Sequence, residues 1–573
     1  MKTLKLNLIK GFSLALVFGL VACNGMTQTN PIEQPIQGTS SLPASSHPSG
    51  TTFYIRPDGG SAEQCSGLED APYTGSGTNQ PCAWNHPFQA LPPGGTPRIV
   101  GGDTLIIESG SYRMGYGAPG AESCENEGSY NCSMSPIPSG PDASHPTRIL
   151  GEGWNNGCAA APELWGTGRP SYVVNMTDSS NVEISCLEIT DHSSCIEDHL
   201  FPTGGSPYTC QRDTPPYGDW TETGLYAEDS ANVLLKDLNI HGLANTGILA
   251  GRLTDWTVEN VRLVGNGWAG WNGDLVGDGS ESENHGTFIF RHWLVEWNGC
   301  GETYPGQDHI GCWAQEAGGY GDGAGFGGTT GGHYIIEDSA FLHNTSDGLD
   351  MLYVRLPDSK IEIRRTISAE NAGNQIKTSG NVSIENSIIV SNCGFFHGMP
   401  YWNNDDDCRA GGDALAFDLN PGGQASVVNS TITGTGNCLA IAGCALDKTC
   451  QGNERVLMRN DLFQGQKFFW SPDEDTCFAW YDDESSPPMP ANPFVVEYSL
   501  ITGVRFGNVN PCPGSHNLCD VNSGLVNISI DTFDAHLLSD SPAVNAGTPD
   551  GAPSTDFDNN PRDAQPDIGA YEH

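Results

Sequence analysis

The sequence predicts an all-β chain folded as a right-handed parallel β-helix, with loop insertions and a C-terminal cap segment. Three observations predict it. Short β-type runs recur along the 573 residues, each an apolar-x-apolar triplet, a second short run and a small or Asn-rich turn. Five of these units close on an asparagine: Asn266, Asn298, Asn344, Asn371 and Asn392. No segment sustains an apolar repeat near ~3.6 residues, so helices are few.

The clearest units run from Val182-Glu-Ile184 to Ile189, from Val233-Leu-Leu235 to Ile240, and from Trp256-Thr-Val258 to Val264. Phe288-Ile-Phe290, Tyr334-Ile-Ile336, Ile361-Glu-Ile363 and Val382-Ser-Ile384 open the next four, and Val427, Val456 and Val495 open similar segments later. Spacings of 21 to 27 residues recur, stretched elsewhere by insertions. The leucine skeleton of leucine-rich repeats is missing, and propeller blades need about forty regular residues each. Short strands coiled and stacked in parallel fit better, because each coil then buries its inward side chains on its neighbours. Corner asparagines in such a stack hydrogen-bond as ladders. Insertions fall on one face, often the binding face.

Composition narrows the partners. The chain carries 25 Lys+Arg against 69 Asp+Glu, a formal charge of −44, with only 16% charged residues. That charged share is below the ~25% usual for globular domains, so the imbalance reflects missing bases. Nucleic acid is excluded as a partner, since phosphate neutralisation needs clustered Lys and Arg. An acidic polysaccharide stays open wherever a cation mediates the contact. With 73 Gly and 38 Pro the chain is turn-rich, and 37% hydrophobic residues support a large core.

The N-terminus reads as an export signal. Lys2, Lys5 and Lys10 precede an apolar run from Phe12 to Ala22, too short for a mature spanning helix. Leu20-Val21-Ala22-Cys23 resembles the lipobox of bacterial lipoproteins. The resemblance implies cleavage before Cys23 and its lipidation, and Asn24 in place of an aspartate implies outer-membrane sorting. The expected organisation is a signal peptide over 1–22, a flexible Thr/Ser/Pro-rich tether over 23–50, a β-helix over 51–536 and a cap over 537–573. A monomer held at the membrane by its lipid alone, or released outside the cell, is the expected state.

Nineteen cysteines less Cys23 leave an even number in an exported protein, which favours disulfides. Cys65/Cys82, Cys124/Cys132, Cys300/Cys312, Cys393/Cys408, Cys444/Cys450 and Cys512/Cys519 are close enough in sequence to close local loops, with connectivity left open. No cysteine or Cys/His cluster has zinc-ligand spacing.

Aligning the coils on their closing asparagines produces the chemistry. Asp347 stands three residues after Asn344, and Asn374 three after Asn371; Asp350 and Lys377 stand six after. The local pattern continues in Gly321-Asp322-Gly-Ala-Gly325 and Gly412-Asp413-Ala-Leu-Ala416. Stacked coils place equivalent positions ~4.8 Å apart. Asp322, Asp347, Asn374 and Asp413 therefore form one column, and Gly325, Asp350, Lys377 and Ala416 a second. Stacked like charges repel, so either a divalent cation sits among the oxygens, with Ca²⁺ suited to such a carboxylate-rich site, or Lys377 pairs with Asp350 in a structural salt bridge.

The segments Asp322-Gly, Ser346-Asp347-Gly-Leu-Asp350 and Gly373-Asn374-Gln-Ile-Lys377 resemble the active-site signatures of family 9 polysaccharide lyases, over roughly residues 320 to 395. A weaker resemblance covers Phe53 to Tyr112. The resemblance implies calcium held by Asp322, Asp347 and Asp350, Lys377 as catalytic base, and β-elimination on an acidic polysaccharide such as pectate. One departure is plain: the family has adjacent aspartates where this chain has Ser346-Asp347. A β-helix hydrolase, which needs paired carboxylates, and a non-catalytic glycan-binding surface protein are the alternatives. Arg355, Arg364 and Arg365 are candidate substrate contacts, and Tyr320, Tyr353, Phe396, Tyr401 and Trp402 candidate sugar platforms.

Near the C-terminus, Asp556, Asp558, Asn560 and Asp567 fall at offsets 1, 3, 5 and 12 of a calcium loop. Pro561 stands where that loop requires glycine, so the segment reads as a structural cap.

Overall fold

Almost every regular element of the chain is a short strand paired in parallel with the equivalent strand of the next coil. The structure is a computed structural model that describes residues 50–197, 208–212, 214–275, 283–314, 320–444, 450–480, 494–506, 512 and 514–573. Cys23 and the export signal and tether predicted around it lie outside these residues. Among the described residues the α-helical content is one four-residue turn, Pro87–Ala90.

The strands build three parallel ladders, one per face of the coil. The first runs from Thr52–Gly60 to Phe494–Glu497, and the second from Ser111–Gly115 to Leu518–Cys519. Three long strands, Val182–Asp191, Ala231–His241 and Thr254–Val264, bend through both. The third ladder holds eleven strands, from Tyr172–Thr177 to Arg505–Phe506. Together they define a parallel β-helix, as the repeat predicts.

Alternation in the strands aims one column of side chains inward on each face. On the first face Ile184, Leu235, Val258, Phe290, Ile336, Ile363, Ile384 and Val427 lie in consecutive register. All eight are fully buried. The third face contributes Leu225, Ile248, Trp271, Ala324, Leu349, Ile376 and Leu415. The largest residue of that column, Trp271, stands next to the smallest, Ala324, and packs against Phe290, Trp293 and Phe326. Two late units open on residues other than those predicted. Ala425 and Phe494, not Val427 and Val495, continue the Tyr334–Ile361–Val382 column. Val495 is partly exposed; in a run of three apolar residues, only register decides which face is inner.

Two corners repeat. Between the first and second ladders, Asp237, Asn260, His292, Asp338, Arg365, Asn386, Asn429 and Asn460 all have φ between +45° and +59°. The coil turns there through one left-handed residue, a conformation that Asn and Asp tolerate best. After the second ladder the predicted asparagine ladder is present. Asn266 Nδ2 donates to Asn298 Oδ1 at 3.0 Å, Asn298 to Asn344 at 2.9 Å, and Asn344 to Asn371 at 2.8 Å. The ladder ends at Asn371, which donates to Gln375 Oε1 at 2.8 Å. Asn392 departs from prediction: its amide turns to Glu370 and Asp531, because the disulfide-closed insertion Cys393–Cys408 leaves the coil directly after it.

All eighteen cysteines after Cys23 are paired, including the six local pairs named above. The other three bonds are Cys158–Cys186, Cys195–Cys210 and Cys438–Cys477. No helix of the described residues is long and apolar enough to cross a membrane. The C-terminal segment lies along the left-handed corner of the late coils. Asn386, Asn429 and Asn460 donate to the carbonyls of Thr555, Asp567 and Thr548. Asp556 accepts from the N–H groups of Asn560 and Glu572, and Asp567 from those of Asn545 and His573. Those carboxylates tie the segment together as internal caps.

Replacing Asn344 by alanine removes the acceptor of the buried Asn298 backbone N–H and side-chain amide and the donor to Asn371 Oδ1 and the Val295 carbonyl, and leaves the Asn298 N–H unpaired. At ~1–3 kcal/mol per unsatisfied group, N344A is expected to lose about 2–4 kcal/mol. A lower denaturation midpoint with an unchanged denaturant slope is the check.

Candidate active site

The second corner continues from the asparagine ladder into a second ladder built of acids. Asp322 Oδ1 accepts the backbone N–H of Asp347 at 3.1 Å, Asp347 Oδ1 that of Asn374 at 2.7 Å, Asn374 Oδ1 that of Asp413 at 3.2 Å, and Asp413 Oδ1 that of Cys438 at 2.8 Å. Each side chain satisfies an N–H one coil onward that would otherwise be buried without a partner. The first predicted column is thus a structural ladder. An asparagine would serve equally, as Asn374 does. An aspartate leaves a second, anionic oxygen over.

The second column is also in the predicted register. Gly325 pairs with Asp350, Asp350 with Lys377 and Lys377 with Ala416 across successive strands of the third ladder. These positions face outward, while Leu349 and Met351 on either side of Asp350 are fully buried. Lys377 Nζ lies 3.1 Å from Asp347 Oδ2 and 3.0 Å from Asp350 Oδ2. The spare oxygens of the two columns therefore converge on one ammonium. Asp350 Oδ1 is held by the N–H of Leu352 at 2.8 Å. Two glycines make room. A Cβ at Gly373 would stand 2.4 Å from Asp347 Oδ1, and one at Gly325 3.3 Å from Asp322 Oδ2.

Ser346, where the resembled family carries an aspartate, is buried and hydrogen-bonds the Asp322 carboxylate. It supplies a neutral donor in place of a further charge. Burial, then the neighbouring charges of Asp347 and Asp350, push the Asp322 carboxyl up to about 7. Burial also raises Asp350, against the pull of Lys377. Burial alone would lower the Lys377 ammonium, but Asp347, Asp350 and Asp322 outweigh it and hold it well above its ordinary value. One cation among three buried acids leaves negative charge uncompensated.

That surplus, and an all-oxygen donor set, fit a hard divalent cation. As arranged around the ammonium, the three aspartates do not bring their oxygens within 4.8 Å of one another. The one set of His, Cys, Asp and Glu ligand atoms among the described residues that does so is Cys444, Cys450 and Glu454. Both of those cysteines are in a disulfide, so that set offers no thiolate.

The outlying candidates separate. Arg364 pairs with Glu337, Glu362 and Glu385, and Arg365 with Asp338; both belong to the first face and its corner. Arg355 lies over the Tyr353 ring at 4.9 Å, and Tyr353 feels the charges of both Asp350 and Lys377. Tyr320, Phe396 and Trp402 are buried, Tyr320 against Trp268 and Phe396 against Trp402. Tyr401 is exposed.

The fold and the site define a class: a parallel β-helix carrying a carboxylate–lysine cluster on the outer face of its third ladder. No protein-family model and no curated protein matches the sequence. Solved structures of low similarity include the pectate lyase Pel9A, 14% identical over 92% of this chain and 98% of that one, with a TM-score of 0.41. The A-module of the Azotobacter vinelandii mannuronan C-5 epimerase AlgE4 is 9% identical over 73% and 89%, at 0.37. An endo-xylogalacturonan hydrolase from Aspergillus tubingensis is 10% identical over 74% and 89%, at 0.21.

Asp413 tests the electrostatics of the acid ladder away from Lys377. Burial raises its carboxyl to about 7, with Asp347 adding to the shift. A carboxyl whose folded value lies above its unfolded one binds more protons when folded, so stability falls as pH rises from about 4 to about 7. D413N keeps the acceptor for Cys438 and removes the charge. In chelator it should match the parent at pH 4 and exceed it by about 2–4 kcal/mol at pH 8, given ~1.4 kcal/mol per pH unit. Denaturant titrations at the two pH values check this.

Proposed function

We propose that the protein is a polysaccharide lyase that cleaves a pectate-like polyuronate by β-elimination, anchored at the outer membrane through Cys23 and acting as a monomer. The observation that carries this reading is the convergence of Asp347 Oδ2 and Asp350 Oδ2 on Lys377 Nζ at the outward face of a strand ladder. A structural salt bridge needs one acid; this lysine is given two, with a third beside them. The motif resemblance at Asp322, Ser346–Asp350 and Gly373–Lys377 points the same way.

In this reading Asp322, Asp347 and Asp350 hold a calcium ion. When bound, calcium supplies the positive charge that neutralises the sugar carboxylate, acidifies the adjacent C5 proton and relieves the pull keeping Lys377 protonated. Lys377, then neutral, takes the C5 proton through Nζ. The C–H electron pair becomes the C4–C5 double bond as the C4–O bond breaks, and the departing oxygen takes a proton from solvent. Asp350, tied through Oδ1 to the Leu352 N–H, positions the amine. Ser346 leaves this site one carboxylate short of the resembled family, which favours a weaker grip on the metal.

Pectate, alginate and glycosaminoglycans incubated with the full protein, in calcium or chelator, separate the readings. Ultraviolet absorbance of unsaturated products is expected with at least one polyuronate in calcium and not in chelator. K377A is expected to lower kcat by about 10²–10⁴, the usual worth of a general base. New reducing ends without absorbance would instead indicate a hydrolase, and binding without cleavage a glycan-binding protein.

A further inference from the structure

The outward column that contains Asp350 and Lys377 continues toward the N-terminal coils. In register it reads Asn175, Tyr226, Leu249, Asn272, Gly325, Asp350, Lys377. Five strand steps separate Tyr226 from Lys377, about 24 Å at ~4.8 Å each. At the Tyr226 end the face opens into a groove of about 540 Å³, within the size range of small-ligand sites. Tyr172 and Tyr226 line it with their rings stacked 5.0 Å apart, interplanar angle 15°. Asn175, Thr177 and Leu249 complete its floor.

The chemistry of this groove differs from that of the lysine cluster. None of its lining residues is Lys, Arg or His; its charged members are Glu222 and Glu228. The nearest cations lie outside the lining and are shared: Arg169 pairs with Glu197 at 2.6 Å as well as with Glu222 at 3.5 Å, and Arg252 with Asp229 at 2.9 Å as well as with Glu228 at 2.6 Å, so the groove stays net acidic. A uronate carboxylate entering here would meet two acids and no free base. A neutral sugar ring would meet an aromatic wall, an amide, hydroxyls and carboxylate acceptors, which is the pairing such a ring needs.

We propose that this groove is a second saccharide-binding site, a distal subsite on the same face as Lys377 that takes neutral sugar units. It rests on the reading of that face as a polysaccharide cleft and adds a substrate class: a polymer whose uronate stretch at Lys377 is joined, in the chain or as a branch, to neutral sugars several units away. The tyrosine pair holds those units and sets which polymers engage, while the chemistry stays at Lys377.

Isothermal titration of the full protein with neutral galactan, arabinan and xylan hexasaccharides, and with a galacturonate hexamer, tests this. At least one neutral hexasaccharide should bind. Y226A should weaken that binding about ten-fold or more, as expected for an aromatic anchor, and L249R, which fills the floor, should do the same should Y226A fold poorly. K377A should leave it unchanged. The proposal is overturned if no neutral hexasaccharide binds at millimolar concentration, if both groove variants bind like the parent, or if the galacturonate hexamer is the Tyr226-dependent ligand. Tyr226-dependent neutral binding without any unsaturated product would keep this site and reject the lyase reading alone.

Discussion

Everything in this molecule depends on how each coil satisfies the backbone N–H groups at its buried corner. Strand ladders pair their own amides, but at the turn into the third face the chain leaves one ladder before it joins the next. Buried there, an N–H without a partner carries the full desolvation penalty. The structure answers with side-chain oxygens one coil away: the amides of Asn298, Asn344 and Asn371, then the carboxylates of Asp322, Asp347 and Asp413. Each such bond also fixes register, because the accepting residue must stand directly beneath the donor.

The candidate site grows out of that requirement. An amide at a ladder position accepts a neighbouring coil's N–H and uses its Nδ2 in a further bond, leaving no charge over. A carboxylate accepts the same N–H and has an oxygen left, charged and held rigidly by the first bond. Placing acids at 322, 347 and 413 therefore turns a structural seam into an array of oriented anions with no new backbone geometry. The penalty is electrostatic, visible in the raised carboxyls of Asp322 and Asp413, and Lys377 offsets only part of it. Asp350 and Lys377 stand on strands, and the corner acids are pinned by backbone bonds to the next coil, so the cluster is preorganised.

Much of this was legible in the sequence for a physical reason. Within one coil the count from closing asparagine to outward residue is short and uninterrupted, so Asn344 to Asp350 and Asn371 to Lys377 carry the register by themselves. Legibility failed where insertions cut the count. Asn392 carries the right residue type but stands immediately before the Cys393–Cys408 excursion, and its amide points elsewhere. Val495 sits in an apolar run where hydropathy does not separate inner from outer face, while Val427 is on the inner face but two residues past the opening position, which the small Ala425 fills. That the aspartate column first serves the backbone could not be seen, because a carboxylate and an amide accept the same bond. The Tyr172–Tyr226 groove was missed because its strands precede the asparagine ladder that anchored the alignment. Alternation over Tyr172–Thr177 and Thr223–Glu228 was the available signal.

The charge of −44 then takes on a local meaning. An acidic protein can engage an acidic polymer in two ways: through a cation where the polymer is charged, or without one where it is neutral. The outer face of the third ladder contains both conditions in one register. At Lys377 the acids outnumber the base, so a uronate there needs a divalent cation to offset both charges. At Tyr226 Arg169 and Arg252 are each shared between two acids, so that stretch stays acidic and favours an uncharged ring over a uronate. A wholly charged chain would be repelled along the unmatched stretch, and a wholly neutral one would find no acidic C–H beside the lysine. On the proposed reading, selectivity for a mixed polymer would follow from how acids and arginines are distributed along this column, a distribution set coil by coil by the same register that aligns the asparagines.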